Sequence, residues 1–248
     1  MPLMSVYQQI LENKHRGGTQ VAVLVDPEQQ RSESFEQVAL KATESGVDFI
    51  FVGGSLLLAD ALDSCIHILR QNTQLPIVLF PGSHLQIHPE ADAILLLSLI
   101  SGRNPELLIG QHVVAAPYLR RSGLEIIATG YMLVGSENYT TAHYISHSFP
   151  IPGNKPDVAA CTAMAGEMLG MKLIYLDAGS GAYHPVSSEM ISKVKAAISI
   201  PIIVGGGINH PDKAKSAAQA GADLLVVGNS LEKDLSLMLD IAQAAKNQ

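Results

Sequence analysis

Short apolar runs alternate with amphipathic stretches along the whole chain. The runs lie at 21–25, 49–52, 77–80, 93–97, 126–129, 173–176, 202–204 and 224–227. They are apolar throughout and do not alternate with polar residues, which is typical of parallel strands that are covered on both faces. The pattern therefore predicts eight buried strands of a parallel sheet.

The stretches between these runs carry start signals for helices. A polar residue followed by proline begins three of them, at Asn104-Pro105, Lys155-Pro156 and His210-Pro211. Serines at 32 or 34, 55, 187 or 188 and 230 are candidate caps for the others, and residues 1–18 resemble a short amphipathic helix. Because strand and helix alternate through eight units, we expect one (β/α)8 TIM barrel domain over residues 1–248.

One unit breaks the alternation. Between the third and fourth predicted strands lies PGSHLQIHPEA, which contains two prolines and leaves no room for a regular helix. We expect a barrel whose third helix is missing or replaced by an irregular segment. The connection over 133–155 is unusually long, and long loops at the mouth of such a barrel commonly serve a substrate or a partner.

Composition agrees with this fold and narrows the setting. The chain has 248 residues, 47% of them hydrophobic and 16% charged, which favours a large buried core or an oligomer. A net charge of −7 argues against a nucleic-acid partner. We find no signal peptide or run long enough to span a membrane, and no CxxC pair, so we expect a cytoplasmic protein in which Cys65 and Cys161 are buried free thiols.

In this fold the active site lies at the carboxyl ends of the strands, where glycines concentrate in the last three loops. Glycine lets backbone N–H groups approach an anion, and a following helix N-terminus adds partial positive charge. One such glycine could simply make a tight turn, but three successive glycine-bearing loops favour a phosphate site. The residues concerned are Gly179, Ser180, Gly181, Gly206, Gly207, Gly228 and Asn229.

Polar side chains at other strand ends are candidates for chemistry. Asp26 ends the first strand several residues before the next helix, so a metal ligand or base is favoured over a helix cap. With Ser55 it could bind Mg²⁺ together with substrate phosphate oxygens. Tyr175 and Asp177 alternate along the sixth strand and therefore share a face. The histidine pairs 84/88 and 143/147 lack an obvious third ligand for zinc.

Several segments together resemble a known family. They are LVDPEQ from Leu24, FVGGS from Phe51, SLISGRNPELLIGQHV from Ser98, TGYMLV from Thr129, IYLDAGSGA from Ile174, PIIVGGGI from Pro201 and VVGNS from Val226. The chain is similar, in this order and over nearly its whole length, to the geranylgeranylglyceryl phosphate synthases and their bacterial relatives that use longer prenyl chains. A missing third helix is also a trait of that family.

The resemblance implies a prenyltransferase that joins a polyprenyl diphosphate, most simply geranylgeranyl diphosphate, to the 3-hydroxyl of sn-glycerol 1-phosphate. It implies that Asp26 and Ser55 hold Mg²⁺, that the glycine loops bind the glycerol phosphate, and that Tyr175 and Asp177 hold its hydroxyls, with Asp177 as proton acceptor. Asp177 stands where many members carry Glu. We add Arg103 as a contact to the diphosphate, and expect a homo-oligomer, dimer or hexamer, that touches a membrane transiently.

The sequence is also compatible with two other functional hypotheses. One is another phosphate-binding barrel enzyme, such as a phosphosugar isomerase or a transferase like thiamine phosphate synthase. Such an enzyme would normally keep its third helix, because it has no prenyl chain to hold in a long apolar groove. The other is a sensor of phosphorylated metabolites that kept the barrel and lost the chemistry.

Overall fold

Eight parallel strands close into a barrel in a computed structural model that describes residues 4–28, 32–54, 61–83, 86–135, 140–228 and 235–247. Each strand pairs with its neighbours in chain order, and β1 closes the sheet against β8. The strands are β1 Gln20–Val25, β2 Phe49–Val52, β3 Ile77–Leu79, β4 Ala93–Leu99, β5 Glu125–Leu133, β6 Leu173–Asp177, β7 Ile202–Gly205 and β8 Leu224–Val227. The predicted strands and the barrel are confirmed.

Several helices begin at the predicted start signals, whereas the predicted starts Ser55 and Ser230 lie outside the described residues. Ser187 caps one helix through its side chain, His210 caps another, and Pro156 and Pro211 occupy first-turn positions. A π-helix at Glu106–Gly110 precedes the fourth α-helix. The α-helices are α1 Val6–His15, α2 Ser32–Glu44, α3 Ala61–Asn72, α4 Gln111–Ser122, α5 Thr141–Ser146, α6 Pro156–Met168, α7 Ser188–Ala197, α8 Pro211–Gln219 and α9 Leu237–Lys246.

The helix expected between β3 and β4, the third of the eight βα units, is missing from the described residues, as the sequence predicts. Between β3 and β4 the described residues 80–83 and 86–92 form turns and irregular backbone. Gln86 is buried here and its side chain accepts a hydrogen bond from the Gly82 amide at 2.9 Å, which ties the segment to itself without a helix. The outward-facing side chains of Ile77, Leu79 and Ile94 are nevertheless buried, so neighbouring elements cover these strands in place of a helix between them.

The barrel interior is closed at its amino end by α1. Val6 and Ile10 of this helix are buried with the side chains that point inward from the strands, among them Phe49, Phe51 and Leu95. The Glu125 carboxylate, at the start of β5, accepts hydrogen bonds from the amides of Val6 and Tyr7 at 2.6 and 3.2 Å. These bonds satisfy amides that a helix N-terminus leaves without partners.

Two details differ from the sequence-based expectation. β5 continues four residues beyond the predicted end, and the long connection after it holds α5 and a bridge between Val134 and Ile151. Cys65 is a buried free thiol as expected, but Cys161 is exposed. Cys161 lies on α6, which is rich in alanine on several faces, so the sequence does not indicate which side is inward. No helix within the described ranges is long and apolar enough to cross a membrane.

Candidate active site

A cavity of about 1770 Å³ opens at the carboxyl ends of the strands. It has two parts with different chemistry. One part is polar and lies over the barrel mouth, where Asp26, Tyr175, Asp177, Ser180, Gly181, Gly206, Gly207 and Gly228 line it. The other part is largely apolar and runs beside β4, where Leu62, Ile87, Ile94, Leu96, Leu107, Ala115 and Leu119 line it.

Asp177 is the most deeply buried acid in the polar part, with 8% of its surface exposed. The phenol group of Tyr131 donates a short hydrogen bond to its Oδ2, and the Gly179 amide donates to Oδ1 at 2.7 Å. Burial raises the pKa of Asp177, while these two bonds and the nearby His143 act in the opposite direction. The carboxyl group is thus held in place by donors but is more basic than an exposed aspartate.

Three aromatic rings form the floor next to this carboxylate. Phe80 stacks on Tyr175 with ring centroids 5.0 Å apart, and Tyr131 meets both rings edge-on. Burial, together with the negative charge of Asp177, raises the pKa of both tyrosines well above the ordinary value, so both phenols stay protonated. The floor therefore offers hydroxyl groups at its polar edge and ring faces elsewhere.

The glycines after β6 and β7 are required by close backbone approach. Gly206 and Gly207 have φ values of 79° and 72°, a region that glycine enters without strain. A Cβ on Gly206 would meet the backbone of Gly179 at 2.7 Å. The two loops thus lie against each other at the polar end, and α8 begins shortly after with Pro211 in its first turn. Such loops are suited to phosphate.

The predicted metal ligand Asp26 lies across the mouth, next to Gly54. A Cβ on Gly54 would lie 2.9 Å from Asp26 Oδ1, so a larger residue there would displace the carboxylate from this position. Oδ1 also accepts a hydrogen bond from the Glu28 amide at 3.1 Å. Ser55 falls outside the described residues, as does Asn229. Within the described part of the chain no three His, Cys, Asp or Glu side chains are placed to form a complete metal site.

A single carboxylate nevertheless fits Mg²⁺. This ion commonly takes one or two carboxylates and fills its remaining positions with water and substrate phosphate oxygens. The Asp26 side chain faces the shared cavity and is oriented by the Glu28 amide. The residues present therefore suit an ion that arrives with a diphosphate, in contrast to one held by protein ligands alone.

The structure brings most of the predicted residues together, but Arg103 is placed elsewhere. Its Nη1 donates to the Gly102 carbonyl at 2.6 Å and it is absent from the cavity lining. Tyr131 and Phe80 were given no role from the sequence, although Phe80 ends the third predicted strand and Tyr131 lies at the end of the fifth. An aromatic residue at the end of an apolar run is ordinarily a core residue. Only the pairing of β5 with β6, which places Tyr131 beside Tyr175, brings its phenol group to Asp177.

Comparisons with known proteins agree with this geometry. A model of the PcrB family matches residues 8–246. A geranylgeranylglyceryl phosphate synthase of Chitinophaga pinensis is 50% identical over 239 residues, covering 96% of this chain and 95% of that protein. The synthase of Thermococcus kodakarensis is 43% identical over 212 residues, covering 85% of this chain and 83% of that protein.

A solved structure extends the likeness to three dimensions. The crystal structure of (S)-3-O-geranylgeranylglyceryl phosphate synthase from Thermoplasma acidophilum, in complex with its substrate sn-glycerol-1-phosphate, superposes with a TM-score of 0.94. It is 34% identical and the match covers 99% of this chain and 100% of that one. With the family model and the curated relatives, this match establishes that the chain belongs to the PcrB family.

Proposed function

We propose that this protein is a Mg²⁺-dependent prenyltransferase, built as one domain over residues 1–248, that joins a polyprenyl diphosphate to the 3-hydroxyl of sn-glycerol 1-phosphate. The observation that carries the proposal is the joined cavity: a polar end with glycine loops and Asp177 continues into an apolar arm beside β4. Glycerol phosphate suits the first part and a long hydrocarbon chain the second. The names of the relatives agree with this pair of substrates.

At the polar end, backbone amides near Gly179, Gly206 and Gly207 would bind the phosphate group, with Ser180, Gly181, Gly228 and Asn229 completing the loops. Tyr175 and Asp177 would hold the glycerol hydroxyls. The 3-hydroxyl oxygen forms a bond to C1 of the prenyl chain as the bond from C1 to the diphosphate breaks. The proton of the hydroxyl passes to Asp177, and pyrophosphate leaves.

Asp26, with Ser55, would hold the Mg²⁺ that neutralises charge on the departing diphosphate. Asp26 and Asp177 lie on different sides of the barrel mouth. The diphosphate would therefore bind at Asp26, and glycerol phosphate at the glycine loops and Asp177. Holding both substrates in one cavity also converts a bimolecular reaction into an effectively unimolecular one. Arg103 would contribute only if it left its carbonyl partner, so we give it no step.

The apolar arm accounts for the missing helix. A third barrel helix would cover β3 and β4 and occupy the space beside Ile94 and Leu96, which now line the cavity. The names of the relatives favour a chain of geranylgeranyl length for this arm.

The setting of the reaction is part of the proposal. Free thiols at Cys65 and Cys161 fit a reducing cytoplasm. Large apolar side chains are exposed on the outer side of α4 and its preceding π-helix, which supports a homo-oligomer or brief contact with a membrane that supplies the prenyl substrate. These residues are Ile109, Val113, Val114 and Tyr118.

The test is a turnover assay with sn-glycerol 1-phosphate, Mg²⁺ and prenyl diphosphates of increasing length. We expect an ether product from the wild type, and a loss of at least about 100-fold in Asp26→Asn and in Asp177→Asn. Circular dichroism on the same samples checks that both variants are folded. The fastest substrate gives the chain length.

Absence of product at every length, from a folded protein that still binds sn-glycerol 1-phosphate by calorimetry, would contradict the proposal. That outcome would favour the sensor. Turnover of a phosphosugar, or of another diphosphate, would favour a different phosphate-binding barrel enzyme.

A further inference from the structure

The short helix α5, with Thr140 directly before it, contributes to one side of the cavity lining. Thr140, Thr141, Ala142, Ile145 and Ser146 all face the cavity. The segment is fastened from outside: the Asn104 side chain donates to the Ser146 carbonyl at 3.1 Å. The mechanism above uses none of these residues, although they border the polar end.

His143 holds the first turn of this segment together. It is 4% exposed, and its Nδ1 accepts a hydrogen bond from the Thr140 amide at 2.9 Å. The Thr140 hydroxyl lies 3.0 Å from the same nitrogen. Because an amide can only donate, Nδ1 must be unprotonated for this bond to form. The neutral imidazole ring of His143 is thereby fixed to one tautomer, with its proton on Nε2.

The segment held by His143 rests on the residue that orients Asp177. The Thr140 methyl group packs so closely on Gly179 that a Cβ there would meet it at 2.6 Å. The Gly179 amide in turn donates to Asp177 Oδ1 at 2.7 Å. A chain of contacts therefore runs from the imidazole through Thr140 and Gly179 to the carboxylate.

We infer that His143 is a positioning residue for this site: its neutral imidazole caps α5, keeps Thr140 against Gly179, and so fixes Asp177 and the glycerol phosphate loop. The inference rests on the proposed function for its substrates. It assigns no proton transfer to His143, whose positioning effect passes through Thr140.

A dependence on pH follows from the direction of the hydrogen bond. Protonation of Nδ1 removes its acceptor, so the cap and the packing on Gly179 are lost when His143 becomes charged. Burial lowers the pKa of His143, and the negative charge of Asp177 acts in the opposite direction. Asp177 on β6 is the charged group acting on His143 within the described residues, and Asp177 itself faces Tyr131, Tyr175 and His143. Acidification therefore has two targets, the imidazole and the carboxylate.

His143→Gln separates these two targets. The glutamine carbonyl can accept from the Thr140 amide, as in an ordinary capping box, but does not titrate. We expect His143→Gln to keep kcat/KM at pH 8 within about twofold. On the acid side, wild-type kcat/KM should fall about fivefold further than that of the variant, because only the wild type also loses the cap when its imidazole is protonated.

His143→Ala removes the acceptor at every pH. We expect the KM for sn-glycerol 1-phosphate to rise about fivefold or more at pH 8, with rescue by His143→Gln. His147→Asn is the matched control. It removes an exposed imidazole from the same segment at a residue with φ of 49°, which asparagine tolerates, and should match the wild type.

An equal fall of kcat/KM on acidification in wild type and His143→Gln, or an unchanged KM in His143→Ala, would overturn the inference. Failure of the proposed function looks different, because the wild type itself would then form no ether. In that case calorimetry with sn-glycerol 1-phosphate still decides: weaker binding by His143→Ala, restored by His143→Gln, supports the positioning role, and equal binding by all three proteins contradicts it.

Discussion

At the scale of single residues, the Tyr131 phenol controls how readily Asp177 takes a proton. Its hydrogen bond favours the carboxylate, so Tyr131→Phe should raise the pKa of Asp177 further. A base must be unprotonated to act, and the acid limb of the pH profile of kcat/KM should therefore move up by about one pH unit. Activity well above that limb should change little by comparison.

The measurement is a pH profile of ether formation beside Tyr118→Phe, which removes a hydroxyl from an exposed ring on α4. This control should leave the acid limb in place. An unmoved limb in Tyr131→Phe would show that the titrating group is not Asp177.

The same residues show what sequence can predict about the site. Asp26, Tyr175 and Asp177 could be identified because an acid or phenol at the end of an apolar strand is costly to bury without a use. Tyr131 was given no role because a tyrosine at the end of an apolar run is equally compatible with a core position, and β5 continues past it to Leu133. Contacts between distant segments, such as Thr140 on Gly179, leave no mark in a single sequence.

At the scale of elements, α4 has one face on the apolar arm and the other exposed. Ala115 is 3% exposed and lines the arm. Ala115→Leu adds three carbon atoms to the wall and should lower kcat/KM for the longest accepted prenyl diphosphate by about tenfold, while shorter chains are affected less. The comparison is a series of chain lengths with each variant.

Ala116→Leu is the matched control, because Ala116 lies on the exposed side of the same helix. It adds the same volume outside the arm and should leave the length preference unchanged. An equal loss of kcat/KM for prenyl diphosphates of every length in Ala115→Leu would indicate general damage to α4. That result would contradict the prediction that Ala115 lies along the prenyl chain.

Elements were the most predictable level of the fold. Strands covered on both faces are apolar throughout, so their existence is readable, and proline or serine at helix starts places most helices. The absent third helix was also readable, since prolines at 81 and 89 bound a segment too short for one. The π-helix at Glu106–Gly110 and α5 were not, because the start signal at Asn104-Pro105 does not distinguish a π-helix from an α-helix and α5 is only six residues long.

At the scale of the whole molecule, the barrel separates stability from chemistry. α1 closes the amino end, whereas the cavity opens at the carboxyl ends. Ile10 is 1% exposed among the inward-pointing side chains. Ile10→Ala should lower the free energy of unfolding by about 2–4 kcal/mol, because it removes buried methyl and methylene groups and leaves a cavity.

Urea denaturation measures the loss of stability. Turnover at 25 °C in the absence of urea should stay near the wild-type value, because α1 lies at the end of the barrel opposite to Asp26 and Asp177. Glu12→Ala on the same helix is the control: it breaks only an exposed ion pair with Arg16, at 3.3 Å, and should cost about 0.5 kcal/mol or less. If Ile10→Ala reduced kcat in proportion to its loss of stability, the two ends of the barrel would be mechanically coupled. A loss of stability without a change in kcat would instead mean that the packed barrel interior does not transmit changes in α1 to the active site. Substitutions in α1 could then change stability without changing catalysis.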